Sequence, residues 1–299
     1  WRGRVQSFLD KGVIPIIDLE SSLKRGDGED YLDDALPVMD QLGLALIAFD
    51  GYQRPKGGKK QKGYRWGYYV HEVVNAHPDR FILATNGGTN KNWLKGKDSF
   101  VSQTEDHVRS GQYPIMGEFD FRHYMSGHQC KNFRTDRDTD IPLDGDNGQR
   151  IFALSAETGV PFVIHHEPED HALDALEKML KAYPKANVIA AHFGQIRHPE
   201  KEKRFGPDLV RRLLNTYPNF YYELSTGYPG RYYKCEDSET LDTVIWQRDG
   251  GSQKGTLTPA YKAIMTEFSG RFVGGTDYGG GRSPLPVFLK DRGKNLRLI

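Results

Sequence analysis

Ionisable side chains stand at the ends of several short apolar runs of this sequence. One run ends at His165-His166, another at His192, and a third, near the C-terminus, at Asp277. Imidazoles and carboxylates bind divalent metal ions and exchange protons near neutral pH. If these runs are parallel strands, their carboxyl ends open on one face, which is the face where barrel enzymes carry out chemistry.

Three carboxylates end other apolar runs in the same way. They are Glu20, Glu118 and Glu223. We predict that they share one barrel mouth with the strand-end residues His165 or His166, His192 and Asp277. Such a set suits a divalent metal ion, which would relieve the repulsion among the acids and lower the pKa of a bound water.

The apolar pattern predicts the elements that would position these residues. Eight short runs, each bounded by Gly, Pro or polar residues, are typical of strands. They span residues 14–20, 45–50, 81–86, 114–119, 161–167, 187–193, 220–225 and 272–278. Apolar residues recur at helical spacing between them, and Gly43 ends one of these helices. Eight such repeats predict right-handed βαβ units and a single-domain α/β fold, a (β/α)8 TIM barrel over residues 1–299.

Two further helices carry boundary signals. Asp146 is predicted to be the N-cap of a helix that Gly159 ends. Pro168 lies near the predicted first turn of a helix whose leucines recur at 173, 176 and 180.

Long connections leave the predicted carboxyl ends of strands four and seven. They span residues 120–144 and 226–254, and long loops of compact domains usually serve as lids or binding segments. Aromatic side chains in the second connection would suit a cyclic or aromatic substrate, or would pack within the connection itself. They are Tyr228, Tyr232, Tyr233 and Trp246. The Gly/Lys-rich residues 55–62 predict a mobile, solvated loop rather than an anion site.

Composition limits the classes of partner. The 299 residues carry 41 basic and 40 acidic side chains, a net charge of +1, which leaves no electrostatic footprint for nucleic acid. No apolar run reaches the ~20 residues of a membrane span. Cys130 and Cys235 are too few for a disulfide framework and lack zinc-type spacing. We expect a soluble protein with a small-molecule substrate. The oligomeric state stays open, and so does the compartment, which is cytoplasmic or, if Trp1 follows removal of a leader, periplasmic or secreted.

Three motifs carry a resemblance to a known family. Ile164-His165, Ala191-His192-Phe193-Gly194 and Gly275-Thr276-Asp277-Tyr278 occur in this order. The chain resembles the metal-dependent amidohydrolase superfamily over almost its full length, and specifically amidohydrolase family 2, its decarboxylase- and lactonase-like branch. The resemblance implies a (β/α)8 barrel with strand-end His and Asp residues around one or two metal ions. It gives His165 the role of a metal ligand and Asp277 the roles of metal ligand and general base.

Strand one departs from the family pattern. The family has His-x-His at its end, whereas Glu20 and Ser22 occupy these positions here. Three alternatives follow. Glu20 replaces a histidine as ligand, the enzyme works without metal, or the site has lost catalysis. The first alternative gives the ligand set Glu20, His165 and Asp277, and the loss of two imidazoles favours harder ions. The identity of the ion, Zn, Mn, Mg or Ca, stays undecided.

The resemblance implies a hydrolase, or a C–C lyase such as a decarboxylase. Activated water would attack a carbonyl-type carbon of a small substrate, with Asp277 accepting the proton and His192 stabilising or protonating the developing charge. Arg122, beside His123, offers a bidentate fork for a substrate carboxylate or phosphate, or else forms a surface ion pair. The predicted substrate-binding residues are Glu118, Arg122, His123, Glu223 and Arg282.

Two other functions stay open. Glu118 and Glu223 resemble the carboxyl pair of retaining glycoside hydrolases. The two carboxyl groups of that pair lie ~5–5.5 Å apart. Gly117 stands where that group usually has Asn before its strand-four acid. The other alternative is a non-catalytic binding barrel that lost its metal with the change at Glu20 and Ser22.

Overall fold

The computed structural model describes residues 1–23, 25–50, 70–89, 91–195, 205–235, 238–241, 243–249, 252–279 and 284–299. Residues 55–62 and Arg282 lie outside these ranges. The chain divides into two compact units. Unit 1 comprises Trp1–Glu118, Val160–Val163 and Val273–Arg297, and unit 2 comprises Phe119–Gly159, Ile164–Phe272 and Leu298–Ile299. The single domain over residues 1–299 stays a prediction.

Strands and helices alternate along most of the described chain. The strands are β1 Ile16–Ser22, β2 Leu44–Asp50, β3 Phe81–Ala84, β4 Met116–His123, β5 Thr139–Asp140, β6 Phe162–His166, β7 Val188–Ala190, β8 Phe220–Glu223, β9 Tyr232–Cys235, β10 Ser238–Leu241, β11 Trp246–Asp249, β12 Ser252–Leu257 and β13 Phe272–Val273. The helices are α1 Arg2–Asp10, α2 Arg25–Leu42, α3 Val70–Ala76, α4 Lys91–Leu94, α5 Asp98–Arg109, α6 Gly127–Lys131, α7 Asp146–Thr158, α8 Asp170–Ala182, α9 Pro207–Thr216, α10 Pro259–Glu267 and α11 Leu285–Leu296.

Unit 1 is built on a parallel sheet of order β1-β2-β3. Isolated parallel bridges extend it on both sides, from Ala84 to Ile115 and from Asp18 to Gly274. Every residue of β2 is buried, which is typical of a strand covered on both faces. Apolar side chains of α2, α3 and α11 complete this core. The end of β1 and the segment after β13 therefore belong to a unit with a packed apolar core.

The second sheet has the strand order β13-β8-β7-β6-β4-β5. β7 and β8 pair in parallel, whereas the short β5 pairs antiparallel with the end of β4. In unit 2, α8 and α9 each bury an apolar face, because their leucines and other apolar residues recur at helical spacing. α9 contacts β8, whose last residue is Glu223.

Each predicted strand corresponds to an observed one, but several boundaries differ. β4 continues to His123, and the eighth predicted strand is confined to Phe272–Val273. The prediction that Asp146 is an N-cap was wrong by one residue. Gly145 is the N-cap of α7 with extended backbone, and Asp146 lies in the first turn, where a carboxylate favours the positive end of the helix dipole. Pro168 precedes α8, whose N-cap is Glu169.

Both long connections contain regular structure. The first holds α6, a 3₁₀ turn at Thr135–Arg137 and β5, and the second holds the antiparallel pairs β9–β10 and β11–β12. A single disulfide between Cys130 and Cys235 joins the two connections, although the cysteine count predicts no disulfide framework. Among the described residues, none of the helices is long and apolar enough to cross a membrane.

Candidate functional site

Four carboxylates line one pocket of unit 1. Glu20 lies near the end of β1, Asp50 ends β2, Glu118 lies within β4, and Asp277 follows β13. Ser22 lines the same pocket. Oxygen donors of this kind suit hard divalent ions such as Mg²⁺, Ca²⁺ or Mn²⁺. The donor set of unit 1 therefore fits a hard ion.

A buried carboxyl group ties the two strand ends of this pocket together. Asp18 accepts hydrogen bonds from Thr276 Oγ1 at 2.5 Å, Ser21 Oγ at 2.8 Å and the Glu20 backbone N–H at 3.0 Å. Burial raises the pKa of Asp18 to about 6, although these hydrogen bonds oppose the shift. The network fixes the backbone on both sides of Glu20 and directly before Asp277. Asp277 has a φ of 54°, which is unusual for a residue with a side chain.

A close approach of β3 and β4 determines where Glu118 lies. A Cβ atom at Gly117 would lie 2.4 Å from the carbonyl oxygen of Thr85. The Gly117 N–H also donates a hydrogen bond to Thr85 Oγ1 at 3.1 Å. Only glycine allows these two backbones to approach so closely. Gly117 is therefore explained by packing, whatever the role of Glu118.

Unit 2 contains a row of three imidazoles. The ring centroids of His123 and His165 are 4.2 Å apart, and those of His165 and His192 are 5.1 Å apart. His123 is the last residue of β4, His165 lies within β6 and His192 follows β7, and these three strands are neighbours in the sheet. His166 lies elsewhere, because its Nε2 bonds to the carbonyl oxygen of Ala172 at 2.8 Å. Burial lowers the pKa of His166 to about 4, so this imidazole is neutral at pH 7.

Hydrogen bonds orient two rings of this row. His123 Nδ1 lies 2.8 Å from the carbonyl oxygen of Arg137. A carbonyl only accepts, so this nitrogen carries the proton and Nε2 carries the lone pair. His165 Nε2 lies 3.2 Å from Glu167 Oε1, which places the proton on Nε2 and the lone pair on Nδ1. Hydrogen bonds of this kind orient metal-binding histidines in many proteins.

The third ring is held by Ser225 and Glu223. His192 Nδ1 is 2.6 Å from Ser225 Oγ, and Ser225 Oγ donates to Glu223 Oε2 at 2.6 Å. Glu223 also accepts the backbone N–H groups of Ser225 at 2.6 Å and His192 at 2.9 Å. Since the serine proton goes to Glu223, the Nδ1–H of His192 donates to Ser225, and Nε2 is the basic nitrogen. Glu223 therefore orients His192. Its role in a glycosidase pair with Glu118 stays a prediction.

The backbone at His192 is held in an uncommon conformation. His192, Phe193 and Gly194 all have positive φ values, of 52°, 56° and 68°. Such backbone is sparsely populated by residues with side chains and persists only where the surroundings impose it. The carboxylate of Glu223 supplies part of this constraint through the His192 N–H.

Asp120 joins two of the histidines in a group that could hold a metal ion. One ligand atom from each of Asp120, His123 and His165 lies within 4.8 Å of the others. Arg137 contacts two members, because its guanidinium donates to Asp120 Oδ2 at 2.6 Å and its carbonyl accepts from His123. Two imidazoles and a carboxylate fit a divalent transition ion.

The guanidinium of Arg122 is paired with two acids, one in the first long connection and one directly before α8. Its guanidinium lies 2.7 Å from Asp138 and 3.0 Å from Glu169, and it stacks over the ring of Tyr124 at 4.0 Å. This is the ion-pair arrangement, which the sequence left open as the alternative to substrate binding by Arg122.

The aromatic residues of the second long connection differ in exposure. Trp246 is buried and donates to the Gly227 carbonyl at 2.8 Å, whereas Tyr228 is exposed.

The predicted site residues thus fall into two described groups. Unit 1 brings together Glu20, Glu118 and Asp277. Unit 2 brings together His123, His165, His192 and Glu223. Sequence reasoning missed Asp50, Asp120, Arg137 and Ser225. Asp50 and Asp120 each follow an apolar run and carried the same strand-end signal as Glu20 and Glu118, whereas Arg137 and Ser225 carried no such signal.

The chain was compared with protein families and with solved structures. The amidohydrolase family model matches residues 130–261, a range that includes His165 and His192, and it confirms the resemblance inferred from the sequence. Among solved structures, the chain is similar to an uncharacterized Tim-barrel protein from Bordetella bronchiseptica, with 12% identity, a TM-score of 0.53, and coverage of 96% of this chain and 92% of that chain. It is also similar to 2,6-dihydroxybenzoate decarboxylase from Rhizobium, with 13% identity, a TM-score of 0.52, and coverage of 95% and 92%. No curated protein sequence matches significantly.

These likenesses establish the fold. The chain has the α/β TIM-barrel fold that the eight strand–helix repeats predict. The match to the amidohydrolase family model is confined to residues 130–261, which is less than half of the chain.

Proposed function

We propose that this protein is a metal-dependent hydrolase or C–C lyase that acts on a small substrate with a carbonyl or carboxylate group. The observation that carries the proposal is the row of three imidazoles in unit 2, with ring orientations fixed by Arg137, Glu167 and Ser225. Rings held in this way serve as ligands or proton carriers more readily than rings that rotate freely. The family match over this region supports the same class.

The substrate class follows from two supporting facts. The similar Rhizobium protein is a decarboxylase of 2,6-dihydroxybenzoate, and the second long connection exposes Tyr228 and Tyr232. We therefore propose a cyclic or aromatic substrate, either a hydroxylated aromatic carboxylate that loses CO₂ or a cyclic ester that is hydrolysed. Trp246 is excluded from substrate contact by its burial.

The proposed chemistry assigns a role to each group. When bound, a divalent ion would polarise the substrate oxygen and lower the pKa of a water. In the hydrolytic reaction, Asp277 accepts the proton of the attacking water and returns it to the leaving group. His192 enters the reaction as an imidazolium, with the second proton taken from solvent on Nε2, and donates a hydrogen bond from this nitrogen to the substrate oxygen. The Ser225–Glu223 pair behind it stabilises that positive charge, as an acid behind a catalytic histidine does elsewhere.

Metal analysis of protein purified without added metal tests the proposal first. We expect a bound divalent ion by mass spectrometry, loss of activity on exhaustive chelation, and recovery when an ion is added back. Turnover is followed as CO₂ release from hydroxybenzoates and as ring opening of aromatic lactones. Full activity after chelation, with no ion detected, would contradict metal dependence and favour the metal-free alternative. The ligand set Glu20, His165 and Asp277 stays a prediction.

A further inference from the structure

We propose that the metal ligands of this protein include Asp120 and His123 at the end of β4, together with His165 of β6. The inference rests on the proposed metal dependence and adds two ligands that the resemblance to the amidohydrolases does not assign. Sequence reasoning placed His123 among the substrate-binding residues and left Asp120 out. The ion would be a divalent transition metal.

The sheet places the three residues side by side. β4 and β6 are neighbours in the strand order, and the rings of His123 and His165 are 4.2 Å apart. One ligand atom from each of the three residues lies within 4.8 Å of the others. Atoms bound to one ion in tetrahedral geometry at about 2.0–2.2 Å lie about 3.3–3.6 Å apart. The ligand atoms would therefore move together by at most about 1.5 Å on binding an ion.

Hydrogen bonds with neighbouring residues orient the ligand atoms. Arg137 acts on two of them, because its carbonyl accepts the Nδ1–H of His123 at 2.8 Å and its guanidinium donates to Asp120 at 2.6 Å. Glu167 accepts the Nε2–H of His165 at 3.2 Å. Each imidazole is thereby held in one tautomer by an oxygen acceptor, which is the usual arrangement behind a metal-binding histidine.

Burial and charge favour an ion in this place. Asp120, His123 and His165 are all at least nine-tenths buried, with exposures of 0%, 7% and 3%. Glu167 is fully buried beside them at 0%, so two carboxylates share this region with the guanidinium of Arg137. A divalent ion would add charge compensation for these acids in a region of low dielectric.

The donor types predict which ion binds. Two imidazoles and one carboxylate favour Zn²⁺, Fe²⁺, Co²⁺ or Mn²⁺ over Mg²⁺ and Ca²⁺. The pocket of unit 1, lined by carboxylates, would have the opposite preference. Preference for a transition ion over Mg²⁺ and Ca²⁺ therefore indicates binding at Asp120, His123 and His165, and the opposite preference indicates binding in the pocket of unit 1.

The test is a titration of metal-free protein with Co²⁺, followed by visible absorption, and with Zn²⁺, followed by calorimetry. We compare the wild type with His123→Asn, with Arg137→Ala and with the control His128→Asn, which removes an exposed histidine of α6. His123→Asn should lower the affinity at least about 100-fold and change the Co²⁺ spectrum. Arg137→Ala, which keeps the carbonyl but loses the guanidinium, should lower it roughly 10–100-fold. His128→Asn should match the wild type.

The outcomes separate this inference from the proposed function. Circular dichroism and melting of the metal-free variants check folding, and Arg137→Ala carries the test if His123→Asn does not fold. Unchanged Co²⁺ and Zn²⁺ affinity in both variants would overturn the assignment of β4, while chelation-sensitive turnover of the wild type would leave the proposed function standing. Loss of metal in the variants, with no turnover of any substrate by the metal-loaded wild type, would support this ligand set and overturn the proposed function. Wild type that binds neither ion also overturns the inference.

Discussion

Thr276 Oγ1 donates a hydrogen bond of 2.5 Å to Asp18 Oδ2, joining residues 258 positions apart. Ser21 reinforces the link, because its hydroxyl lies 2.8 Å from Asp18 and 3.1 Å from Thr276. The backbone N–H of Ser22 adds a bond to the Tyr278 carbonyl at 2.6 Å. The segment that carries Asp277 is thus fixed to the strand that carries Glu20 by groups that are themselves buried.

Removing the Thr276 hydroxyl should lower activity, although Thr276 itself takes no part in the proposed reaction. We expect Thr276→Val, which keeps the shape of the side chain, to lower kcat roughly 10–100-fold, because small displacements of catalytic groups are costly. Loss of a hydrogen bond to a charged acceptor should also lower the free energy of unfolding by about 1.5–3 kcal/mol. Kinetics and urea unfolding measure the two effects.

Thr276→Ser is the matched control, since it keeps the hydroxyl and loses only a methyl group. Its kcat should lie near that of the wild type. Equal loss of kcat in the serine and valine variants would show that packing of the methyl group, not the bond to Asp18, positions Asp277.

Asp277→Asn should abolish most activity while the fold persists. Asp277 is exposed at the pocket of unit 1, so its side chain contributes little to the core. An amide does not accept the proton that the proposed reaction requires, and loss of a general base typically costs ~10²–10⁴-fold in rate. Asp10→Asn, an exposed substitution on α1, serves as control. Near-full turnover of Asp277→Asn would remove this residue from the mechanism.

If Glu20 is a metal ligand, Glu20→Ala should lower metal occupancy and activity together. Glu20 stands where the resembled family has its first strand-one histidine, and it lines the pocket of unit 1. Occupancy by mass spectrometry and kcat are measured for this variant and for Glu72→Ala, an exposed acid on α3. A rise in KM with full metal occupancy would instead show that Glu20 binds substrate.

The sequence predicted the scaffold because its signals were local. Short apolar runs between Gly, Pro and polar residues identify strands, and Gly43 and Gly159 end helices as predicted. The boundaries of the strands were predicted less accurately than their existence. β4 extends to His123 because β5 pairs with its end, and that pairing involves a segment which has no strand signal of its own.

The site was harder to predict because it depends on contacts distant in sequence. The imidazoles and acids at strand ends were visible as a pattern. Their partners were not, since Arg137 lies in a 3₁₀ turn and acts on His123 through its backbone carbonyl, which any residue provides. Asp18 was visible on the face of β1, but its link to Thr276 depends on strands at opposite ends of the chain.

Stability should depend on pH through Asp40 of α2. Hydrogen bonds from Arg80 at 2.8 Å and from Arg4 at 2.6 Å lower the pKa of Asp40. A carboxyl with a lowered pKa stabilises the fold above its ordinary pKa near 3.8, and the contribution is lost as the pH falls below that value. The difference in unfolding free energy between wild type and Asp40→Asn should therefore hold from pH 7 to 5 and shrink below pH 4. Because Asp40 is half exposed, we expect at most about 1 kcal/mol per ion pair.

Salt and a neighbouring acid provide the controls for Asp40. High salt should reduce the same difference at pH 7, since exposed charges are screened. Asp34→Asn, an exposed substitution on the same helix, should keep the wild-type dependence. A difference for Asp40→Asn that stays constant down to pH 3 would show that its ion pairs contribute nothing to stability.

Breaking the disulfide should weaken both stability and metal binding. The Cys130–Cys235 bond spans 105 residues, and a disulfide typically contributes about 2–4 kcal/mol to stability. It anchors α6 in the connection that also carries Arg137, whose two hydrogen bonds hold Asp120 and His123. We expect the double variant Cys130→Ser/Cys235→Ser to unfold at lower urea concentration and to bind Co²⁺ more weakly than the wild type. A reducing agent should produce both changes in the wild type and neither in the double variant. Unchanged Co²⁺ affinity, with only stability reduced, would show that Arg137 keeps its position without the bridge.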